Sequence, residues 1–204
     1  MPRNRQLKVV VLGESGVGKT SLLTQYLRNE FSANGVGSTI GVDCHQNCVL
    51  IDEQIVTMQF WDTGGMERFH AICPALYRGA DCCVLVFDVT NATSFKRVKM
   101  WRDEFLIYSY PPDPDTFPFV LLGNKIEMKS RRTVSVRQAE TWSALNGNVP
   151  YFEVSARNAT NVEDAFQAIT RSALQRNGNG VASDSIADLD EAQPQRRWRC
   201  CAIQ

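Results

Sequence analysis

The stretch Gly13-Glu14-Ser15-Gly16-Val17-Gly18-Lys19-Thr20 most narrows what this chain can become. It reads glycine, four residues, then Gly-Lys-Thr, the pattern of a phosphate-binding loop. The pattern needs a strand before it and a helix after it. Leu7 to Leu12, with Val9, Val10 and Val11, reads as a buried strand, and the residues from 19 to 28 read as a helix. Glycines let the backbone wrap closely around a polyphosphate, so that successive N–H groups point inward. The helix N-terminus adds partial positive charge. Lys19 supplies a full charge, and Thr20 offers a hydroxyl to Mg²⁺. The candidate phosphate-contacting set is Gly13, Ser15, Gly16, Val17, Gly18, Lys19, Thr20 and Ser21.

Strand and helix patterns alternate beyond the loop. Strands are expected near 7–12, 44–51, 55–61, 83–88, 118–123 and 151–154, and helices near 19–28, 67–77, 94–109, 135–146 and 161–176. This alternation predicts an α/β fold, a six-stranded, mostly parallel sheet with about five helices over both faces. The segments 44–51 and 55–61, joined by Asp52-Glu53-Gln54, predict a hairpin that adds one antiparallel edge strand. Residues 1–4 read as an extension, 5–176 as one domain and 177–204 as a disordered tail rich in small and polar residues.

Composition excludes several classes. The formal net charge is zero, which removes the bulk electrostatic case for a nucleic-acid partner. No apolar run is long enough for a membrane span, and the first residues lack the apolar core of a signal peptide. The seven cysteines form no Cys-x-x-Cys pair, so reduced thiols in a cytosolic setting fit best. His45 and His70 are isolated, and Cys44 and Cys48 fall on one face of a strand, where packing or solvent exposure outweighs metal binding.

Three further segments fall where a guanine-nucleotide switch needs them. Asp62, in Trp61-Asp62-Thr63-Gly64-Gly65, can hold Mg²⁺ through a water, and Gly65 can present its N–H to a γ-phosphate. Asn124-Lys125-Ile126-Glu127 and Ser155-Ala156-Arg157 follow the fifth and sixth strands, at the carboxyl edge of the sheet. A carboxylate there accepts from guanine N1 and N2, and the Ala156 N–H can donate to O6. Adenine presents the opposite donors, which disfavours a kinase or ATPase.

Together these segments resemble the Ras superfamily of small GTPases. Tyr77-Arg-Gly-Ala-Asp, Phe87-Asp-Val-Thr, Trp101-Arg-Asp-Glu-Phe-Leu and Phe117-Pro-Phe-Val-Leu-Leu-Gly-Asn-Lys are similar to the Rab branch, closest to its late-endosomal and lysosomal members. The resemblance implies GTP and GDP as ligands, Mg²⁺ as cofactor, and Lys19, Thr39 and Gly65 in hydrolysis. Thr20, Thr39 and Asp62 would hold the metal. Phe31 would lie against the guanine, beside Asn124, Lys125, Glu127, Ser155, Ala156 and Arg157. It further implies effectors at Ile40, Gly41 and Trp61, an exchange factor, a GTPase-activating protein, prenylation and membrane-extraction machinery, a monomer, and the cytoplasmic face of late-endosomal or lysosomal membranes. Cys200 and Cys201, in Arg196-Arg-Trp-Arg-Cys-Cys-Ala-Ile-Gln204, match a prenylation ending next to a basic cluster.

The sequence departs from the family at four places. Met66 stands where the family has the glutamine that orients the attacking water, and a thioether has no amide donor. Glu127 replaces an aspartate, keeping the charge and adding a methylene. The segment before Thr39 is one residue longer and glycine-rich at Asn34-Gly35-Val36-Gly37. Of three effector-facing aromatics only Trp61 matches, with Cys44 and Leu76 at the others. Slow GTP hydrolysis is the expectation. The rival reading is a GTP-bound interaction module, a pseudo-GTPase or constitutively active protein that recruits effectors with little or no hydrolysis.

Overall fold

The structure, a computed structural model, describes residues 5–32, 39, 41–51, 54–64 and 74–179. Its strands are β1 (Arg5–Leu12), β2 (Val42–Ile51), β3 (Gln54–Thr63), β4 (Cys82–Asp88), β5 (Phe119–Asn124) and β6 (Tyr151–Glu153). They form one sheet in the order β2-β3-β1-β4-β5-β6. Only β2 and β3 pair antiparallel; every other pairing is parallel. The α/β fold and its single antiparallel edge strand are therefore as the alternating pattern predicts.

The strand sequences explain why both faces are covered. On β1, Leu7, Val9 and Val11 point to one face, and Val10 and Leu12 to the other. On β4, Cys82, Val84 and Val86 face one side while Cys83, Leu85 and Phe87 face the other. A strand apolar at every position can be satisfied only between two helical layers. One layer is α1 (Lys19–Arg28) with α6 (Val162–Asn179), which contribute Leu22, Leu23, Phe166 and Ile169. The other is α2 (Pro74–Tyr77), α4 (Val98–Ser109) and α5 (Val136–Leu145), which contribute Tyr77, Trp101, Phe105 and Ala139.

Helix boundaries differ from expectation in two places. The helix expected over 94–109 is two pieces, α3 (Ala92–Lys96) and α4, with Arg97 serving as C-cap of one and N-cap of the other. Asn91 starts α3 early, because its side chain accepts the N–H groups of Thr93 and Ser94. The last helix ends at Asn179, three residues past the expected end at 176. Arg176 fixes its final turns to the sheet, donating to the Ala80 carbonyl at 3.1 Å with its guanidinium 4.3 Å from the Phe117 ring centroid. Of the segment expected as helix near 67–77, only Pro74–Tyr77 lies among the described residues. None of the helices among the described residues is long and apolar enough to cross a membrane.

Candidate nucleotide site

Five parallel strands, β1, β3, β4, β5 and β6, place their carboxyl ends at one edge of the sheet, and the loops that follow them converge there. The loop after β1 leads into α1 through Gly18 in the left-handed region, φ +98°. A Cβ at Gly18 would meet Asn124 Nδ2 at 2.4 Å, so this position has neither the torsion nor the room for a side chain. Lys19 is buried and folds back along the loop, with Nζ donating to the carbonyls of Gly13 at 2.7 Å and Glu14 at 2.9 Å. Val17 is 1% exposed and anchors the loop in the core, whereas Ser15 and Gly16 face solvent. Ser21 is half-buried in the first turn of α1.

Three oxygen-bearing side chains from distant segments meet beside Lys19. Thr20 Oγ1 lies 2.8 Å from Thr39 Oγ1 and donates to Asp62 Oδ2 at 2.5 Å. Asp62 is fully buried at the end of β3, and its other oxygen, Oδ1, has no hydrogen-bond partner. Burial pushes the Asp62 carboxyl above its ordinary value, opposed by the Thr20 hydrogen bond and by the Lys19 charge. A buried acceptor left unpaired is costly, and a hard cation is the group that would satisfy it. Thr39 is seated here by close backbone packing: a Cβ at Gly64 would fall 2.0 Å from the Thr39 carbonyl oxygen. The Gly64 N–H donates to the Gly41 carbonyl at 3.1 Å, extending the β2–β3 pairing toward the site.

The loops after β5 and β6 close the other half. Asn124 is 1% exposed. Its Nδ2 donates to the Val17 carbonyl at 2.9 Å, and its Oδ1 accepts the Ala156 N–H at 3.1 Å. One amide thus ties the phosphate loop to both later loops. The Ala156 N–H, the candidate donor to guanine O6, is engaged by the Asn124 amide oxygen, a buried acceptor that needs a donor. A base oxygen would have to share or displace that bond. Lys125 has φ +69° and donates to the Gly16 carbonyl at 2.7 Å. Glu127 holds Oε2 buried without a hydrogen-bond partner, an acceptor at the place expected to read the base. Ser155 is fully buried, with Oγ accepting the Asn158 N–H at 3.0 Å, while Arg157 is exposed. Phe31 is 41% exposed, lining a surface depression with Ser21, Thr24, Glu30 and Ser32.

A family model described as Ras family matches residues 8–175. The chain is 50% identical over 197 residues to "Ras-related protein Rab-7a" of Dictyostelium discoideum, covering 96% of each. It is 54% identical over 183 residues to "Ypt/Rab-type GTPase Rab7" of Neurospora crassa, and 53% identical over 183 residues to "Ypt/Rab-type GTPase ypt7" of Pyricularia oryzae, covering 89% of each chain in both cases. The chain belongs to the Rab group of the Ras family, of the Rab7 type. Membership brings guanine-nucleotide binding with it, and the convergence of loops at one sheet edge is where a Ras-type domain holds its ligand.

Within this Rab domain the structure adds a residue that sequence reading passed over. Asp88, at the end of β4, sets its Oδ2 2.7 Å from Lys125 Nζ, and its Oδ1 accepts from Thr90. An aspartate closing a wholly apolar strand at the ligand edge was the available signal. Trp61 is half-buried under the Lys8 ammonium, 4.9 Å from the ring centroid, with its indole N–H buried and unpartnered. Cys44 and Cys48 are exposed free thiols, and Leu76 is buried. Gly65, Met66, Ile40, Cys200 and Cys201 lie outside the described residues.

Proposed function

We propose that this Rab-type GTPase works as a GTP/GDP switch with Mg²⁺ at Thr20, Thr39 and Asp62. As a Rab GTPase of the Rab7 type it regulates vesicle and endosomal membrane traffic. The observation that carries the metal reading is the meeting of Thr20, Thr39 and Asp62 around an unpaired buried carboxylate oxygen. The 2.8 Å spacing of the two threonine oxygens suits neighbours around an octahedral cation with bonds of about 2.0–2.1 Å. Mg²⁺ would neutralise phosphate charge there.

The chain's own groups supply the rest. Lys19 holds positive charge at the phosphates. Thr39 senses the γ-phosphate through its place beside Thr20, and loss of that phosphate releases its segment. Glu127 accepts from the guanine edge, with Asn124 and Lys125 holding the base loop against the phosphate loop. Phe31 covers one face of the base. Gly65 supplies an N–H to the γ-phosphate, and Met66 leaves the attacking water without an amide to orient it. Effectors meet Ile40, Gly41 and Trp61, an exchange factor and a GTPase-activating protein act on the cycle, and Cys200 and Cys201 carry the lipid that holds the protein to late-endosomal or lysosomal membrane.

Relatives named as GTPases support a cycling switch over a permanently loaded interaction module. The test is the nucleotide carried by purified protein, released by denaturation and chromatographed, followed by single-turnover decay of loaded GTP. Bound GDP with measurable decay is expected. Protein free of guanine nucleotide, or GTP that persists for many hours, would overturn the cycling reading.

A further inference from the structure

A carboxylate inside an anion-binding loop opposes its own ligand. Glu14 is the second residue of the phosphate loop, and its backbone carbonyl seats the Lys19 ammonium at 2.9 Å. Left facing the phosphates, its charge would weaken their binding, since like charges repel more strongly where water is partly excluded. The structure turns it away. Oε2 lies 2.8 Å from Arg97 Nη1, and Oε1 accepts the Trp101 indole N–H at 3.1 Å. The Glu14 side chain is 14% exposed, and Trp101 is 4% exposed in the core beneath α4.

The junction between α3 and α4 makes this possible. Arg97 is the hinge residue, and its carbonyl accepts the Trp101 N–H at 3.0 Å. One helical turn therefore carries guanidinium and indole on the same face, four residues apart. Both meet a carboxylate more than eighty positions earlier in the chain.

We propose that Glu14, Arg97 and Trp101 form a strut that sets both the position and the charge balance of the phosphate loop. Glu14 is a positioning residue acting through Lys19, and Arg97 cancels the charge that would otherwise disfavour the more anionic nucleotide. The proposal rests on the guanine-nucleotide reading above. Its consequence is specific to charge. GTP is more negative than GDP, so an uncancelled Glu14 penalises GTP more.

The test uses the full chain with Mg²⁺ and measures GTP and GDP affinities by competition against a fluorescent guanine nucleotide. Arg97→Ala is expected to lower the GTP:GDP affinity ratio by about two- to fivefold, the range of a half-exposed ion pair. Adding Glu14→Gln to that variant restores the ratio, because no charge is left to cancel. Arg97→Lys, which keeps the charge, holds the ratio near wild type. Trp101→Phe removes a neutral donor and speeds release of both nucleotides alike. Arg97→Ala weakening GTP and GDP equally, or no coupling between positions 14 and 97, would overturn the strut while leaving the guanine-nucleotide reading intact. Wild-type protein that binds neither nucleotide would overturn both.

Discussion

Asp88 and Lys125 join the sheet to the base-side loop through one ion pair, with Oδ2 and Nζ 2.7 Å apart. The same ammonium donates to the Gly16 carbonyl at 2.7 Å. Lys125 has a left-handed backbone, φ +69°, which a non-glycine residue holds only when its surroundings compensate. Asp88→Ala removes that compensation and the ion pair that holds the base-side loop to the end of β4. A hydrogen bond to a charged group contributes roughly 1.5–3 kcal/mol. GDP release in stopped-flow fluorescence should quicken by about tenfold or more, and an unchanged rate would refute the role.

Gly18→Ala should abolish tight nucleotide binding while leaving the sheet folded. The new Cβ would lie 2.4 Å from Asn124 Nδ2, and φ +98° strains any L side chain. Displacing Asn124 breaks its bonds to Val17 and Ala156 together. Nucleotide content and far-UV circular dichroism, measured on the same sample, separate lost binding from lost fold.

Metal removal gives a third expectation. With Mg²⁺ at Thr20, Thr39 and Asp62, a chelator should speed GDP release by about tenfold or more, as phosphate charge loses its counter-ion. Asp62→Ala should release GDP quickly with or without chelator, because the buried carboxylate is gone. A variant that still responds fully to chelation would place the metal elsewhere.

Glu127 offers an acceptor one methylene longer than the family's aspartate, and its Oε2 is buried without a partner. An ill-fitted contact of this kind costs about 1–3 kcal/mol. Glu127→Asp should therefore tighten GDP binding, by up to about tenfold in calorimetry, and Glu127→Ala should weaken it by at least as much. Tighter binding by the alanine variant would exclude this side chain from base recognition.

Met66→Gln tests the chemistry. Family members that have the glutamine hydrolyse GTP at about 10⁻⁴ to 10⁻² s⁻¹ unaided. Wild-type protein should fall at or below the lower end, and Met66→Gln should raise single-turnover hydrolysis by about tenfold. Equal rates would mean that another group orients the water.

Much of this was legible in the chain itself. Continuous apolar runs at Val9–Leu12 and Cys82–Phe87 require strands buried on both faces, and the Gly-Lys-Thr loop requires a phosphate. These are local consequences of side-chain period and backbone freedom, so neighbouring residues suffice to read them. The break at Arg97 was not legible, because no glycine or proline marks it between Ala92 and Ser109. The Asp88–Lys125 and Glu14–Arg97 pairs were equally hidden, since each joins residues far apart in sequence. The bond from the Ala156 N–H to Asn124 is of the same kind. Motif spacing names the groups that can touch a nucleotide. Which of them are already engaged by one another depends on how the strand ends meet at the sheet edge, and only the tertiary structure brings those ends together.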